Sequence, residues 1–152
     1  METVINEIEN AIATLGLEPG VMQQLAQVDS ESVYHAALNE FVSSGDRRWW
    51  WEDFKKLGAS ISIADGNGWR LIPKITPNPD EPVWFIAEDD QLEHYPVFET
   101  SPRIASQILG ECYAFEYYLI AKNYSWLVCE SHHNVIFAIG DAVESRLTSA
   151  LA

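Results

Sequence analysis

The sequence predicts an α+β fold with amino-terminal helices, a mainly antiparallel sheet of about six strands, and two further helices. Apolar residues recur at three- and four-residue steps in the first third of the chain and in two later segments. Short β-rich runs separated by turn residues fill most of the remainder. Runs that follow one another without intervening helices favour antiparallel pairing. Neither an internal repeat nor a linker is evident, so residues 1–152 are predicted to form one domain.

The first third of the chain predicts three helices. One covers residues 4–15, where an apolar stripe is followed by Gly16, which is placed to end the helix. A short second helix is expected near Pro19, and a third is expected to begin at Ser30, a favoured N-cap residue. Residues 49–54, which include three consecutive tryptophans, fit either a helical turn or a strand, and both alternatives stay open.

A β-hairpin is predicted in the next segment. Two runs, residues 60–64 and 69–75, flank the turn sequence of residues 65–68, in which Asn and Gly tolerate positive φ. Pro73 lies within the second run, so that strand is expected at a sheet edge or bent early.

The second half is predicted to add strands and two helices. Ser101 followed by Pro102 is typical of a helix start, and Asp141 is expected to cap a terminal helix. Strands are expected at residues 83–87, 95–99, 115–121, 126–129 and 135–139.

Charge is distributed unevenly along the chain. The net charge is -14, residues 1–46 contain eight acids without a Lys or Arg, and residues 75–102 contain seven more, again without a base. Such a field disfavours nucleic acid and anionic membranes and favours a basic protein partner. The acids of the first segment are explained by solvated helix faces, which leaves the second, aromatic-rich segment as the candidate surface.

This candidate surface combines acids with aromatic anchors, a combination suited to recognising a basic protein. The alternative is a solvated loop face with its aromatic rings turned inward. The predicted partner-binding residues are Asp80, Glu81, Trp84, Glu88, Asp89, Asp90, Glu93 and Tyr95.

Catalytic and metal-binding motifs are weak. Cys129 and the adjacent pair His132 and His133 make a loose zinc-like set with Cys112, but adjacent histidines in a strand point to opposite faces, which disfavours a shared metal. A polar hairpin turn with one packed histidine is the favoured interpretation of the pair. No phosphate-binding glycine loop and no nucleophile signature is present. We therefore predict no catalytic residue, no metal and no cofactor. The alternative is a small-ligand-binding or hydrolytic domain whose tryptophan-lined pocket gathers His94 with His132 or His133.

The sequence also favours a cytoplasmic protein. Its acidic, amphipathic start is the opposite of a secretory signal, and no apolar run approaches the ~20 residues needed to cross a bilayer. Cys112 and Cys129 lie in apolar segments and are expected to be two buried thiols.

The carboxy-terminal half carries a resemblance to known proteins. Residues 116–120, residues 124–134 and Gly140 resemble small bacterial proteins of uncharacterised families, some of them associated with toxin–immunity loci and including relatives in the SMI1/KNR4-like (SUKH) group. The resemblance implies an α+β immunity-type protein that neutralises a toxin by binding, with no catalytic residues. Together with the charge, it leads us to expect a non-catalytic acidic binding protein that neutralises a basic toxin.

Overall fold

The computed structural model describes residues 3–43, 50–89, 92, 95–112 and 115–150. The α+β fold is confirmed: within these ranges, an antiparallel sheet of seven strands is accompanied by five α-helices. The helices are α1 (Val4–Leu15), α2 (Gln27–Phe41), α3 (Ile72–Ile75), α4 (Pro102–Leu109) and α5 (Asp141–Ser149). The strands are β1 (Gln23–Gln24), β2 (Ala59–Ser62), β3 (Val83–Ala87), β4 (Val97–Thr100), β5 (Tyr117–Ala121), β6 (Leu127–Glu130) and β7 (Val135–Ile139).

The sheet is a central layer with helices on both faces. Its strand order is β1-β4-β3-β5-β6-β7-β2, so β5 lies in the middle, and all five of its residues are buried. Helices α1, α3, α4 and α5 pack on one face, and α2 together with the turn at Trp50 covers the other. Phe85 belongs to the first core and its neighbour Ile86 to the second, because successive strand residues point to opposite faces. No helix in the described part of the chain is long and apolar enough to span a membrane.

Two predicted helix boundaries are confirmed by their capping contacts. Gly16 follows α1 with φ +66°, the left-handed conformation that glycine adopts without strain. At the start of α4, the Ser101 hydroxyl accepts a hydrogen bond of 3.3 Å from the backbone N–H of Ile104, and Pro102 occupies the first helical position.

The predicted hairpin is wrong. Strand β2 pairs with β7, and residues 69–75 form the end of a 3-10 turn (Gly68–Leu71) followed by α3. The second run is helical because Ile72 and Ile75, three residues apart, are both fully buried on the same side. Pro73 fits the first turn of that helix, where its missing N–H costs nothing. The turn sequence of residues 65–68 therefore connects a strand to a helical segment.

Two expectations about the amino-terminal region are corrected, and one open alternative is resolved in part. The second helix is only a 3-10 turn (Pro19–Val21), and the short strand β1 that follows it pairs with β4. Helix α2 begins at Gln27 rather than at Ser30, whose hydroxyl instead accepts a hydrogen bond of 3.0 Å from the backbone N–H of Val97. The open alternative at residues 49–54 is resolved in part, because Trp50–Glu52 form a 3-10 turn.

The predicted cap of the last helix is also corrected. Gly140 is the N-cap residue of α5, and Asp141 makes no side-chain capping bond. The backbone N–H of Gly140 instead donates a hydrogen bond of 2.8 Å to the carboxylate of Glu144.

Candidate functional site

One end of the central strands carries buried acids on both faces of the sheet. Tyr117, the first residue of β5, is the register partner of Glu130, the last residue of β6. Both side chains point toward the face that α4 covers, whereas Glu116, one residue earlier, points to the opposite face. Two groups of side chains with different chemistry therefore lie at the same end of these strands, on opposite faces of the sheet.

A cavity of about 340 Å³ lies on the α4 side of this edge, and we call it the end cavity. Its walls combine aromatic rings with polar side chains. The aromatic lining residues are Trp69, Phe115 and Tyr117, and the polar ones include Asn67, Glu130, His132 and Asn134. The aliphatic and thiol side chains of Leu109 and Cys112 complete the apolar part of the wall.

Glu130 is the buried carboxyl group of the end cavity, with 8% of the residue exposed. Its Oε1 accepts a hydrogen bond of 3.1 Å from the Tyr117 hydroxyl, and its Oε2 accepts one of 3.2 Å from the backbone N–H of Gly68. Burial raises the pKa of Glu130 above its usual value; these two hydrogen bonds oppose the shift, and the negative charge of Asp65 adds to it.

Two glycines allow the wall of the cavity to close. A Cβ atom on Gly68 would lie 2.6 Å from Ile136 Cδ1 and 3.0 Å from Glu130 Oε2, so only glycine brings this backbone N–H so near the carboxylate. A Cβ atom on Gly110 would lie 2.9 Å from the ring of Trp69, so this glycine lets the end of α4 approach that ring. The tryptophan is also held by its carbonyl oxygen, which accepts a hydrogen bond of 2.9 Å from the Ser106 hydroxyl.

Cys112 is an unreactive thiol in the cavity wall. Burial raises its pKa to about 12, and the negative charges of Glu7 and Glu111 contribute. A thiol with so high a pKa is protonated at neutral pH and is a poor nucleophile. In the described ranges, no group of three or more His, Cys, Asp or Glu residues is arranged to hold a metal ion.

The opposite face of the edge carries a hydrogen-bonded group that we call the Glu116 cluster, consisting of Glu116, Glu88, His132 and Trp51. Glu116 is 6% exposed. Its Oε2 accepts a hydrogen bond of 2.9 Å from Trp51 Nε1 and one of 2.7 Å from the backbone N–H of His132. The ring Nδ1 of His132 also lies 2.7 Å from the same oxygen.

Glu116 has the opposite electrostatic character to Glu130. Burial by itself would raise the pKa of Glu116, but a side-chain hydrogen bond with Glu88 and those from His132 and Trp51 outweigh burial and hold it below its usual value. Two carboxyl groups can hydrogen-bond only by sharing a proton. Glu116 and Glu130 therefore differ in their number of hydrogen-bond donors. Glu116 is ionised and heavily hydrogen-bonded, whereas Glu130 is closer to protonation.

The two histidines of the predicted pocket lie side by side. Ring centroids of His132 and His133 are 4.0 Å apart, and each ring meets the edge of Trp51 at 5.5 Å. They lie in the turn between β6 and β7, which confirms the predicted hairpin turn at these residues. His132 lines the end cavity together with Trp69, as the ligand-pocket alternative requires. His94 lies outside the described residues.

The predicted partner-binding residues do not form one exposed patch. Asp89 and Tyr95 are buried, with 6% and 7% exposed, so neither is available to a partner. The Tyr95 ring packs inward against Trp50 and Tyr34, with centroid distances of 6.2 and 5.7 Å. The alternative of inward-turned aromatic rings therefore describes Tyr95 correctly. Glu88 belongs to the Glu116 cluster.

The other predicted residues lie nearer the surface. Asp80 is exposed and accepts two hydrogen bonds from the guanidinium of Arg103, at 2.8 and 3.1 Å. Trp84 and Glu81 are partly exposed, and Lys122 Nζ lies 4.6 Å above the centroid of the Trp84 ring. Asp90 and Glu93 lie outside the described residues.

The sequence does not predict Glu116, Tyr117 or Glu130 as site residues. Glu130 closes an otherwise apolar strand, Leu127–Glu130, and Glu116 directly precedes another, Tyr117–Ala121. An acid at the end of a fully buried strand is a usable signal, because a carboxyl group is seldom buried without a specific partner. Nothing in the sequence indicates that β5 and β6 pair in the register that brings Tyr117 to Glu130.

The fold and the site define an α+β domain with one antiparallel sheet, helices on both of its faces, and an acidic, aromatic cavity at the sheet end. The chain belongs to DUF6756, a family of unknown function, whose model matches residues 2–151. A search of curated proteins and a search of solved structures each found no match to the chain.

Proposed function

We propose that this protein binds a small ligand in the end cavity. The observation that carries the proposal is the position of Glu130, a buried carboxyl group that lines an open space and pairs with no Lys or Arg among the described residues. A buried acid costs free energy unless something compensates for it. Glu130 is supported by two hydrogen bonds and still faces the cavity, an arrangement typical of a group that orients a ligand.

The size and lining of the cavity support this proposal. Small-molecule sites usually enclose about 300 Å³ or more and combine apolar walls with a few well-placed polar groups. The end cavity, at about 340 Å³, offers aromatic rings from Trp69, Phe115 and Tyr117 beside the carboxyl group of Glu130. Cys112 is not activated as a nucleophile, which favours binding over covalent catalysis.

Filling the cavity is expected to abolish ligand binding. Asn67 lines the cavity, and none of the described hydrogen bonds uses its side chain, so Asn67→Phe adds an aromatic ring without removing one of those hydrogen bonds. We expect small molecules that raise the melting temperature of the wild-type protein to lose that effect in Asn67→Phe. A panel of cationic, neutral and anionic compounds in thermal-shift assays tests this.

The matched control is Gln107→Phe, which adds the same ring at an exposed position of α4 outside the cavity lining. It should keep the wild-type response to each compound. If Asn67→Phe keeps the response as well, the compounds bind elsewhere and the proposed site is refuted.

A second candidate function is the neutralisation of a basic protein, for example a toxin, by direct binding. The specific observation is a surface groove of about 230 Å³ that is lined by Asp80 and Glu99, both from the base-free acidic segment. Their present partners, Arg103 and Lys122, are exposed cations, and exposed ion pairs contribute little to stability. A basic partner can therefore replace them at little cost. The resemblance to immunity-type proteins points the same way.

Charge reversal tests whether this groove is a specific surface. We expect Asp80→Lys combined with Glu99→Lys to weaken binding to immobilised poly-lysine more than Glu9→Lys combined with Glu18→Lys does. The second pair makes the same change in net charge at two exposed positions in the amino-terminal region. Equal losses, measured as the salt concentration that elutes each variant, would show that only net charge matters.

We also propose a cytoplasmic location. Cys112 and Cys129 are both unpaired thiols, and Cys129 is fully buried. Unpaired cysteines are usual in a reducing compartment, whereas secreted proteins tend to use their cysteines in disulfides.

A further inference from the structure

The end cavity has a negative character that its walls do not neutralise. None of the described lining residues is Lys or Arg, and Glu130 supplies a carboxyl group within the cavity. Asp65, whose carboxylate is paired with the exposed guanidinium of Arg70 at 3.5 Å, adds a negative charge near enough to raise the pKa of Glu130. The net charge of -14 extends this field over the whole molecule. A ligand with a positive charge is therefore drawn to the cavity, and an anion is repelled.

The aromatic walls are suited to the same kind of ligand. The face of an aromatic ring attracts a cation within about 6 Å, and tryptophan does so most strongly. Trp69 already has such a contact, because the guanidinium carbon of Arg70 lies 5.3 Å from the ring centroid. Phe115 and Tyr117 add two more rings to the cavity lining. These walls can contact the carbon atoms of an organic cation, which a bare metal ion lacks.

Glu130 has hydrogen-bonding capacity left for such a ligand. Its two oxygens accept one bond each, from Tyr117 and from the backbone of Gly68. A carboxylate offers about four acceptor positions, so about two stay available. Two adjacent acceptors match the parallel N–H groups of a guanidinium, or two of the N–H groups of an ammonium.

We propose that the end cavity binds an organic cation, an ammonium or guanidinium group on a short carbon chain, with Glu130 as its counter-ion. Trp69 and Phe115 contact the carbon chain. This inference rests on the proposed function and specifies its ligand class. The cation comes either from a free small molecule or from a Lys or Arg side chain of a basic protein that inserts into the cavity.

The test compares probes that differ only in their charged group. Butylammonium and butylguanidinium are titrated into the protein alongside butanol and butyrate, and binding is followed by NMR through the indole N–H of Trp69. We expect the two cations to bind about ten-fold more tightly than butanol. A difference in affinity of about ten-fold corresponds to one charge-assisted hydrogen bond. Butyrate should bind least.

Variants connect this preference to the proposed counter-ion. Glu130→Gln keeps the shape of the side chain and removes its charge, and it is expected to remove the preference for cations. Glu9→Gln makes the same change in net charge at an exposed position of α1 outside the cavity lining and should leave the preference unchanged. Asn67→Phe should abolish binding of every probe. It also provides an independent test in case Glu130→Gln fails to fold, as judged by circular dichroism.

Two tripeptides distinguish the sources of the cation. Acetylated and amidated Gly-Lys-Gly and Gly-Arg-Gly should bind at least as tightly as the butyl compounds if a partner's side chain is the ligand, and more weakly if a free small molecule is. Either order of affinity supports an organic-cation site, provided that Glu130→Gln removes the preference for cations.

Other results overturn the inference. If butanol or butyrate binds as tightly as the cations and Asn67→Phe abolishes that binding, the cavity is a ligand site but not a cation site. Retention of the cation preference in Glu130→Gln also refutes the counter-ion. If no probe binds the wild-type protein, the organic-cation assignment fails, and the broader compound panel then decides separately whether the cavity binds any ligand.

Discussion

Replacing Gly140 with alanine is expected to destabilise the fold by about 4 kcal/mol. Gly140 joins β7 to α5 with φ +111°, a conformation that residues with a side chain rarely adopt. An added Cβ atom would lie 2.4 Å from the carbonyl oxygen of Ser125 and 2.9 Å from Trp126 Cβ. Backbone strain and overpacking each cost about 1–3 kcal/mol, and here both act at one position. Urea unfolding monitored by tryptophan fluorescence measures the loss.

The matched control for this prediction is Gly16→Ala. Gly16 also has a positive φ, +66°, but no atom lies within 4 Å of an added Cβ, so only the conformational cost of about 1 kcal/mol applies. Comparable losses for the two variants would mean that the chain shifts easily around Gly140 and that the contact with Ser125 is unimportant.

The sequence predicts some elements of this fold better than others. Local patterns located most of the elements correctly, because an apolar stripe ended by Gly16, or a Ser-Pro helix start, depends only on neighbouring residues. The wrong predictions concern segments whose secondary structure depends on contacts with residues far away in the sequence. The hairpin turn signal of residues 65–68 predicts a strand at residues 69–75, but Ile72 and Ile75 lie in a helix because both pack into the same core. Strand β1, two residues long, exists only because it pairs with β4.

The candidate site was predictable to a smaller degree. The sequence singled out His132 and His133 and associated them with a tryptophan-lined pocket, and both His132 and Trp69 do line the end cavity. It did not identify Glu130 or Tyr117, because their meeting depends on the register between β5 and β6. Register is set by the packing of both sheet faces, and a single sequence does not display that packing.

His132 belongs to the Glu116 cluster and also lines the end cavity. Its backbone N–H and ring Nδ1 contact Glu116 on one face, while the residue also lines the end cavity on the other. In this way the buried carboxylate of Glu116 positions a side chain at the end cavity without lying in the cavity itself.

Replacing Glu116 with glutamine is expected to cost about 2 kcal/mol at neutral pH, with a defined pH dependence. The carboxylate accepts bonds from Trp51 and from His132, and an amide oxygen is a weaker, uncharged acceptor. Because the pKa of Glu116 is lowered in the folded state, its stabilising contribution is present above the usual pKa of 4.5 and is lost as the pH falls through the lowered value. The variant and the wild type should therefore converge in stability in acid.

Glu130→Gln should show the opposite slope. The pKa of Glu130 is raised in the folded state, so the wild-type protein loses stability as the pH rises from the usual 4.5 through the raised value. The amide has no such cost and can still bond to Tyr117 and Gly68, so this variant gains relative to the wild type as the pH rises. Urea unfolding at pH 4, 5.5 and 7 compares the two variants. Slopes of the same sign would contradict the distinction between a carboxylate that hydrogen bonds with Glu88, His132 and Trp51 stabilise and one that burial holds closer to protonation.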